Sequence, residues 1–297
     1  MRPISIVGDG AAALSRRLAA RLDGRVALVE RTDRVNDGAA ADGAVPGGVD
    51  DGVEADGAVP DNVAETGRAD GAGATAADTA VAFDAEGSWT GRGRVNGLDD
   101  VLDGLAPDHD YLVVAGESRL RVPAVLIGPD AGDVPGPVLA TADRTDAVDL
   151  DAVAAELDDA EPWITRETLV RRVERSADTD RAGAVATFTG RVRTRDAPDD
   201  DPTTHLAFEK YEAVAADRMD AVAEEIAGRD GVFDVRMHHR TGVIEAGEDI
   251  VFVVALAGHR REAFRAVEDG IDRLKDEVPI FKKEATESET FWVHRRS

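Results

Sequence analysis

Three of the chain's four lysines fall in one short stretch, Leu274-Lys275-Asp276-Glu277-Val278-Pro279-Ile280-Phe281-Lys282-Lys283-Glu284-Ala285. The fourth is Lys210, and the rest of the 35 basic residues are arginine. Lysine is a compact ammonium whose pKa moves readily, so it can serve as acid, base or nucleophile where arginine cannot. A chain that avoids lysine elsewhere and concentrates it here uses the amine for chemistry. The competing reading is a solvated basic face.

Further cations of the carboxyl-terminal half complete a candidate pocket. Arg191 and Arg193 lie two apart on an expected strand, so their side chains share a face. His259 and Arg260 follow Gly258 at the start of an expected helix, where free backbone N–H groups and the helix dipole attract an anion. Lys275 lies near the far end of that helix. Pro279 stops the helix and lets the chain reverse into a strand carrying Lys282. Lys275 and Lys282 then approach each other, while Lys283 points to the opposite face. Such a pocket suits a phosphate or a carboxylate. The structural alternatives are local acid partners for the arginines and a helix-cap role for His259. His238 and His239 are adjacent on a strand and face opposite ways, so they are read as structural, and no metal site is expected.

The elements that must position these residues follow from the pattern. The chain's 297 residues are enough for two domains, and 43% hydrophobic content supports a sizeable core. The formal net charge of -25 argues against nucleic acid or an anionic membrane as partner. An acidic, lysine-poor surface suits a high-salt, halophilic cytoplasm. The net charge is -18 over residues 1–160 but only -7 over residues 161–297, so the second half better tolerates an anion. There is no cysteine, which excludes disulfides, thiolate metal sites and a persulfide carrier in this chain. No apolar run reaches the length of a membrane span and the first residues lack the shape of a signal peptide, so a cytoplasmic protein is expected.

Ile4 to Val7 reads as a strand, followed by Gly8-Asp9-Gly10, a helix over Ala11 to Leu22 and a strand over Arg25 to Glu30. A βαβ unit with a glycine turn can seat phosphate, but a P-loop needs a lysine followed by Ser or Thr, which Ala11-Ala12-Ala13-Leu14-Ser15 lacks. Residues 35–80 are rich in Gly, Ala and Asp, with Ala41 to Pro46 echoed at Ala55 to Pro60, and a flexible acidic insertion is expected. Order returns at Thr79 to Phe83. A helix near Leu98 to Leu105 and buried-type strands at Tyr111 to Ala115 and Ala124 to Ile127 predict a mostly parallel sheet. Residues 129–162, proline-rich then acidic, read as a linker with a short helix at Leu150 to Leu157.

From Trp163 the pattern mixes strands and helices in α+β fashion. Thr165 caps a helix. Strands follow over Gly183 to Arg193 and His205 to Tyr211, then a helix over Ala213 to Ile226. Strands at Val232 to His239 and Asp249 to Ala257 lead to a helix over Arg260 to Glu277. That helix presents Phe264, Val267, Ile271 and Leu274 on one face. Ile280 to Ala285 and Thr290 to His294 close the domain.

Residues 163–297 resemble the catalytic (large) subunit of molybdopterin synthase, the MoaE family. The resemblance rests on Gly183 to Arg193, Phe208-Glu209-Lys210-Tyr211, His238 to Gly242, Gly258 to Phe264, and the stretch with Pro279, Lys282 and Lys283. The family usually has tryptophan where Phe281 stands. The resemblance implies transfer of two sulfur atoms to cyclic pyranopterin monophosphate, giving molybdopterin. It implies a small ubiquitin-like partner whose C-terminal Gly-Gly thiocarboxylate supplies the sulfur, a homodimer of this chain with a partner at each end, and no permanently bound cofactor. By position it makes Lys275 and Lys282 catalytic. Arg191, Val192, Arg193, His259 and Arg260 bind substrate, and Lys283 and Glu284 border the pocket. Residues 1–128 resemble the MobB-like P-loop proteins, through the opening strand and glycine turn and through Asp110 to Glu117. Without the P-loop lysine this domain is expected to be a degenerate scaffold. The alternatives are a nucleotide-binding adaptor for molybdenum-cofactor guanylation and a non-enzymatic scaffold.

Overall fold

The computed structural model describes residues 1–31, 80–85, 89–95, 97–210, 212–286 and 290–293. The expected insertion at 35–80 lies outside them except for Ala80. The chain divides into two compact units, Met1–Arg31 with Gly97–Ser297, and Thr32–Asn96.

The first unit begins with β1 (Arg2–Gly8), α1 (Ala11–Ala19) and β2 (Val26–Glu30). In the second unit, β3 (Ala80–Phe83) pairs antiparallel with β4 (Trp89–Arg92). The first unit resumes with α2 (Leu98–Leu105), β5 (Tyr111–Ala115), β6 (Ala124–Ile127), β7 (Val138–Ala142) and α3 (Leu150–Asp159). Five of these strands form an all-parallel sheet in the order β2-β5-β1-β6-β7. A strand covered on both faces reads as a continuous apolar run, and β5 shows why. Its Val113 joins Ile4, Ile6, Leu14 and Leu18 under α1 and α3, while Leu112 and Val114 join Leu102 of α2 on the other face. Each fully buried aliphatic side chain of this kind contributes about 1.5–3 kcal/mol. The glycine after β1 is demanded by geometry: Gly8 has φ 109° and a Cβ there would stand 1.9 Å from the Ile127 carbonyl oxygen.

The expected α/β layer is therefore present, with one difference. Residues 129–162 are not a plain linker, because β7 extends the sheet beside β6 and α3 packs on β1 and β7. The β7 strand hides from pattern reading because it lies at an edge and is nowhere fully buried.

The carboxyl-terminal region adds α4 (Arg166–Glu174), β8 (Ala184–Arg191), β9 (Thr203–Lys210), α5 (Glu212–Ala227), β10 (Val232–His239), β11 (Gly242–Glu245) and β12 (Asp249–Ala257), then α6 (Arg260–Glu277), β13 (Ile280–Thr286) and β14 (Thr290–Val293). Thr165 caps α4 in a reciprocal box with Thr168. Two antiparallel sheets result, β10-β12-β8 and β11-β9-β13-β14. Alternate residues of the central β12 serve two cores. Val251, Val253 and Ala255 pack with α5 and α6 residues, while Phe252, Val254 and Leu256 meet Leu169 and Val173 of α4.

One strand was not foreseen and one local expectation is corrected. The strand β11, directly after the His238–Thr241 segment, had no separate pattern signal. Phe264 does not join the buried stripe of α6, which runs through Ala263, Ala266, Val267, Gly270, Ile271 and Leu274; Phe264 is 66% exposed. It sits at the margin of that stripe, where small residues let the helix approach the sheet closely.

The two layers of the first unit touch directly. The Trp163 N–H donates to the Met1 carbonyl at 2.7 Å. Arg121 donates to the Val243 carbonyl at 3.1 Å and pairs with Glu245 at 3.2 Å. No helix among the described residues is long and apolar enough to cross a membrane.

Candidate active site

The antiparallel register of β8 and β12 fixes where the cations fall. Arg191 lies opposite Asp249 at one end of the ladder, and Ala184 lies opposite Ala257 at the other. His259 and Arg260 come directly after Ala257 and Gly258. An eight-residue strand spans roughly 25 Å, so the chain holds Arg191 and His259 a strand's length apart. The expected single pocket holding both sets does not form within one chain.

Lysine 275 sides with the arginines. Midway along α6, a Cβ on Gly270 would stand 2.8 Å from Val253 Cγ1 at the middle of β12. The helix thus runs back along the ladder from the Ala257 end, and its last turn, with exposed Lys275, reaches the Asp249 end. Val278 is in extended conformation and Pro279 has no N–H to continue the helix, so β13 starts at Ile280. Lys275 and Lys282 sit on adjoining elements across this turn. The pairing of β13 with β9 puts Lys282 opposite Phe208 and Glu284 opposite Leu206, on the face that Phe208 and Leu206 turn toward the core. Lys283, opposite Ala207, takes the other face, as the alternation required.

Lys282 is not isolated. Its ammonium lies 3.5 Å from Glu284, whose carboxylate also accepts from the Thr203 hydroxyl at 2.6 Å. The Thr203 N–H in turn donates to the Thr194 carbonyl at 2.7 Å, next to Arg193. Glu284 thus ties the lysine strand to the arginine segment.

The arginines have the local partners foreseen as alternatives. Arg191 Nε lies 2.9 Å from Asp249 Oδ1, and its Nη2 donates to the Gly247 carbonyl. Arg193 pairs with Asp196 at 3.1 Å, both well exposed. Val192, expected as a substrate residue, turns its side chain inward. Its side chain is 2% exposed within the core, its N–H donates to Glu248 and its carbonyl accepts from Gly247. It anchors the segment so that its two neighbours stay at the surface. His259 and Arg260 are exposed; His259 is the N-cap of α6 and its side chain makes no capping bond. His239 is buried, edge-on to the Phe208 ring at 4.8 Å, with Nδ1 2.7 Å from the Arg240 carbonyl, which fits its structural reading.

Around Arg191 the structure places residues that pattern reading missed. A cavity of about 520 Å³ is lined by Arg191, Asp249, Arg240, Trp163, Asp99 and Asp103, among others. The Arg240 guanidinium lies 5.2 Å from the Trp163 ring centroid and donates to the Asp249 carbonyl at 2.9 Å. The Trp163 indole N–H donates to Asp103 Oδ1 at 2.7 Å. Burial holds the Asp103 carboxyl above the usual carboxylate range, against the pull of the Trp163 hydrogen bond. Burial and the nearby Glu248 do the same for Asp99. A larger cleft, about 930 Å³, opens between the layers beside Trp163 and Arg121 and contains none of the lysines. Arg240 was within reach of the sequence, inside the His238–Gly242 segment; Asp103 carried no signal.

The family model described as MoaE protein matches residues 162–277. A "Probable molybdopterin synthase" of Haloferax volcanii is 49% identical over 297 residues, covering all of both chains. A "Molybdopterin synthase catalytic subunit" of Pyrococcus abyssi is 34% identical over 111 residues, 37% of this chain and 74% of that one. The crystal structure of molybdopterin synthase from Staphylococcus aureus aligns at 30% identity with a TM-score of 0.40, covering 46% of this chain and 93% of that one.

Proposed function

We infer the working of the site from one premise: the chain belongs to the molybdopterin synthase catalytic-subunit (MoaE) family. It is a sulfur-transfer enzyme of molybdenum cofactor biosynthesis and converts cyclic pyranopterin monophosphate to molybdopterin. A chain without cysteine cannot carry the sulfur itself, so a small ubiquitin-like partner presents it as a C-terminal Gly-Gly thiocarboxylate. Each transfer joins one sulfur to a substrate carbon, and water restores the partner's terminus as a carboxylate.

The residues divide this work by charge. Lys275 and Lys282 face the reacting atoms; one ammonium stabilises charge on the attacked acyl group and the other moves a proton at the pterin. Glu284 keeps Lys282 oriented. Arg191 and Arg193 take the anionic parts of the substrate, with Lys283 at the rim. The observation that carries this reading is the placement of two of the chain's four lysines on either side of the Val278–Pro279 turn, at the end of the domain that also holds Arg191. The test supplies thiocarboxylated partner and cyclic pyranopterin monophosphate and measures dithiolene product. Wild-type turnover in both Lys275→Ala and Lys282→Ala would remove the assignment.

His259 and Arg260 join the site through a second copy of the chain. Their end of the β8–β12 ladder also exposes Val185 and Phe264, the apolar surface that a homodimer covers. A partner subunit on each copy completes a heterotetramer.

The amino-terminal layer acts as a degenerate MobB-like scaffold. Supporting this, Gly10 precedes α1 as in a phosphate-binding turn, yet the layer has no lysine to hold a phosphate. Micromolar GTP binding by the full chain would overturn the scaffold reading and favour a nucleotide-binding adaptor.

A further inference from the structure

A series of direct contacts runs from the amino-terminal layer to Arg191. It starts at Asp103 on α2, which accepts the Trp163 indole N–H at 2.7 Å. The Trp163 backbone is also fixed, donating to the Met1 carbonyl at 2.7 Å. The indole face meets the Arg240 guanidinium at 5.2 Å, a cation–π contact. Arg240 holds two successive carbonyls at the start of β12: its Nη1 donates to the Asp249 carbonyl at 2.9 Å and its own N–H donates to the Ile250 carbonyl at 2.8 Å. The Asp249 carboxylate then holds Arg191 Nε at 2.9 Å.

The register of the ladder makes this hold consequential. The β8–β12 pairing is regular from Ala257 to Val251 and shifts between Val251 and Asp249. A bulge leaves a residue outside the regular ladder and re-aims its side chain. Here the residue outside the ladder is Ile250; Asp249 pairs with Arg191 beyond the shift, at the last step of the ladder, where Arg240 braces it from the opposite edge of β12 and its carboxylate in turn holds Arg191. With Nε and Nη2 engaged by the protein, Nη1 of Arg191 has no partner among the described residues.

We propose that Trp163 and Asp103 are positioning residues for Arg191, so that the amino-terminal layer orients the substrate-binding guanidinium of the sulfur-transfer site. This rests on the reading of Arg191 as a substrate residue. Neither Trp163 nor Asp103 touches substrate; both act through Arg240 and Asp249. The burial that raises the Asp103 carboxyl fits a carboxylate enclosed for a fixed contact.

The experiment is a double-mutant cycle in the full chain, using thiocarboxylated partner and cyclic pyranopterin monophosphate. Arg191→Ala raises KM for the pterin on the order of tenfold, as loss of a charged hydrogen bond does. Trp163→Leu raises KM about fivefold with kcat little changed, and adds nothing further in the Arg191→Ala background, because coupled residues are not additive. A merely structural Trp163 would lower the active fraction, and so kcat, and its effect would add to that of Arg191→Ala. Trp163→Phe keeps the ring and drops the bond to Asp103; it and Asp103→Ala raise KM about twofold and carry the test if the leucine variant does not fold. An unchanged KM in Arg191→Ala removes the site reading and this inference with it. A raised KM in Arg191→Ala with an unchanged KM in the Trp163 and Asp103 variants removes the positioning inference alone.

Discussion

The two ends of the β8–β12 ladder hold their cations in opposite ways. At the Asp249 end, Arg191 is clamped by the Asp249 carboxylate and the Gly247 carbonyl, and Arg240 holds the backbone carbonyl of Asp249. At the Ala257 end, His259 and Arg260 stand exposed at the start of α6, next to exposed Phe264 and Val185. A clamped cation has its geometry set before substrate arrives; an exposed pair takes its geometry from whatever surface covers it. On the proposed dimer, the difference separates what one chain orients alone from what the second copy would complete.

The largest expected effect tests the clamped end. Lys275→Ala and Lys282→Ala each lower turnover by about 10²-fold or more, the scale for a lost charge-stabilising or proton-transfer group, while the unfolding midpoint in urea stays near wild type. Equal loss of turnover and of unfolding midpoint would point to a structural lysine instead.

Next comes a test of the division itself. Mixing inactive Lys282→Ala with inactive Arg260→Ala chains under subunit exchange restores roughly a quarter of wild-type turnover, since half the two-fold dimers then carry one intact site. If the mixture stays inactive after exchange shown by mass spectrometry, each chain must build its site alone.

Conservative substitutions then sharpen the contrast. Arg191→Lys cannot reproduce the side-on clamp and raises KM about tenfold, whereas Arg260→Lys at the exposed end changes it about twofold. The reverse ranking would show that the clamp stores Arg191 away from substrate.

Smaller still is the effect at the middle of the ladder. Alanine at position 270 would bring its Cβ to 2.8 Å from Val253 Cγ1 and 3.0 Å from Met237 Cε. Overpacking outweighs the better helix propensity, and urea unfolding shows a net loss of about 1 kcal/mol.

A last effect is a pH signature of the amino terminus, beside Trp163. Burial, with help from Arg172 and Arg2, lowers the Met1 amine from 8.0 to about 6. Between those values the unfolded chain binds more protons than the folded one, so stability rises as pH increases from about 6 to about 8. Urea titrations at both pH values show this gain for the free amine and not for an N-acetylated chain.

Much of the fold was legible because its strands are extreme. Leu112 to Ala115 and Ile250 to Ala257 are buried on both faces and so appear as unbroken apolar runs, and Ile4 to Val7 is broken only by the buried Ser5. The edge strands β7 and β11 bury little and left no comparable trace. For the proposed site, residue type singled out Lys275 and Lys282, because lysine is rare here, and alternation separated Lys283 from Lys282. What stayed hidden was distance. Arg191 and His259 both read as pocket residues, but only the antiparallel register shows that β12 carries them to opposite ends. The contacts of Asp103 and Trp163 were hidden for a related reason, since they join segments that no local pattern relates.

The close contacts at Arg191 also bear on how the proposed site would meet an anionic substrate at high salt. At 1 M salt the Debye length is about 3 Å, and any field reaching beyond the first layer of water is extinguished. The repulsion from a net charge of -25, which would turn away an anionic substrate in dilute buffer, is silenced there. The Arg191–Asp249 pair, at 2.9 Å, is short enough to persist. On the proposed site, substrate would then be captured by collision with a preset guanidinium rather than by long-range attraction, and the association rate should climb as salt is added until the repulsion is gone, then level off.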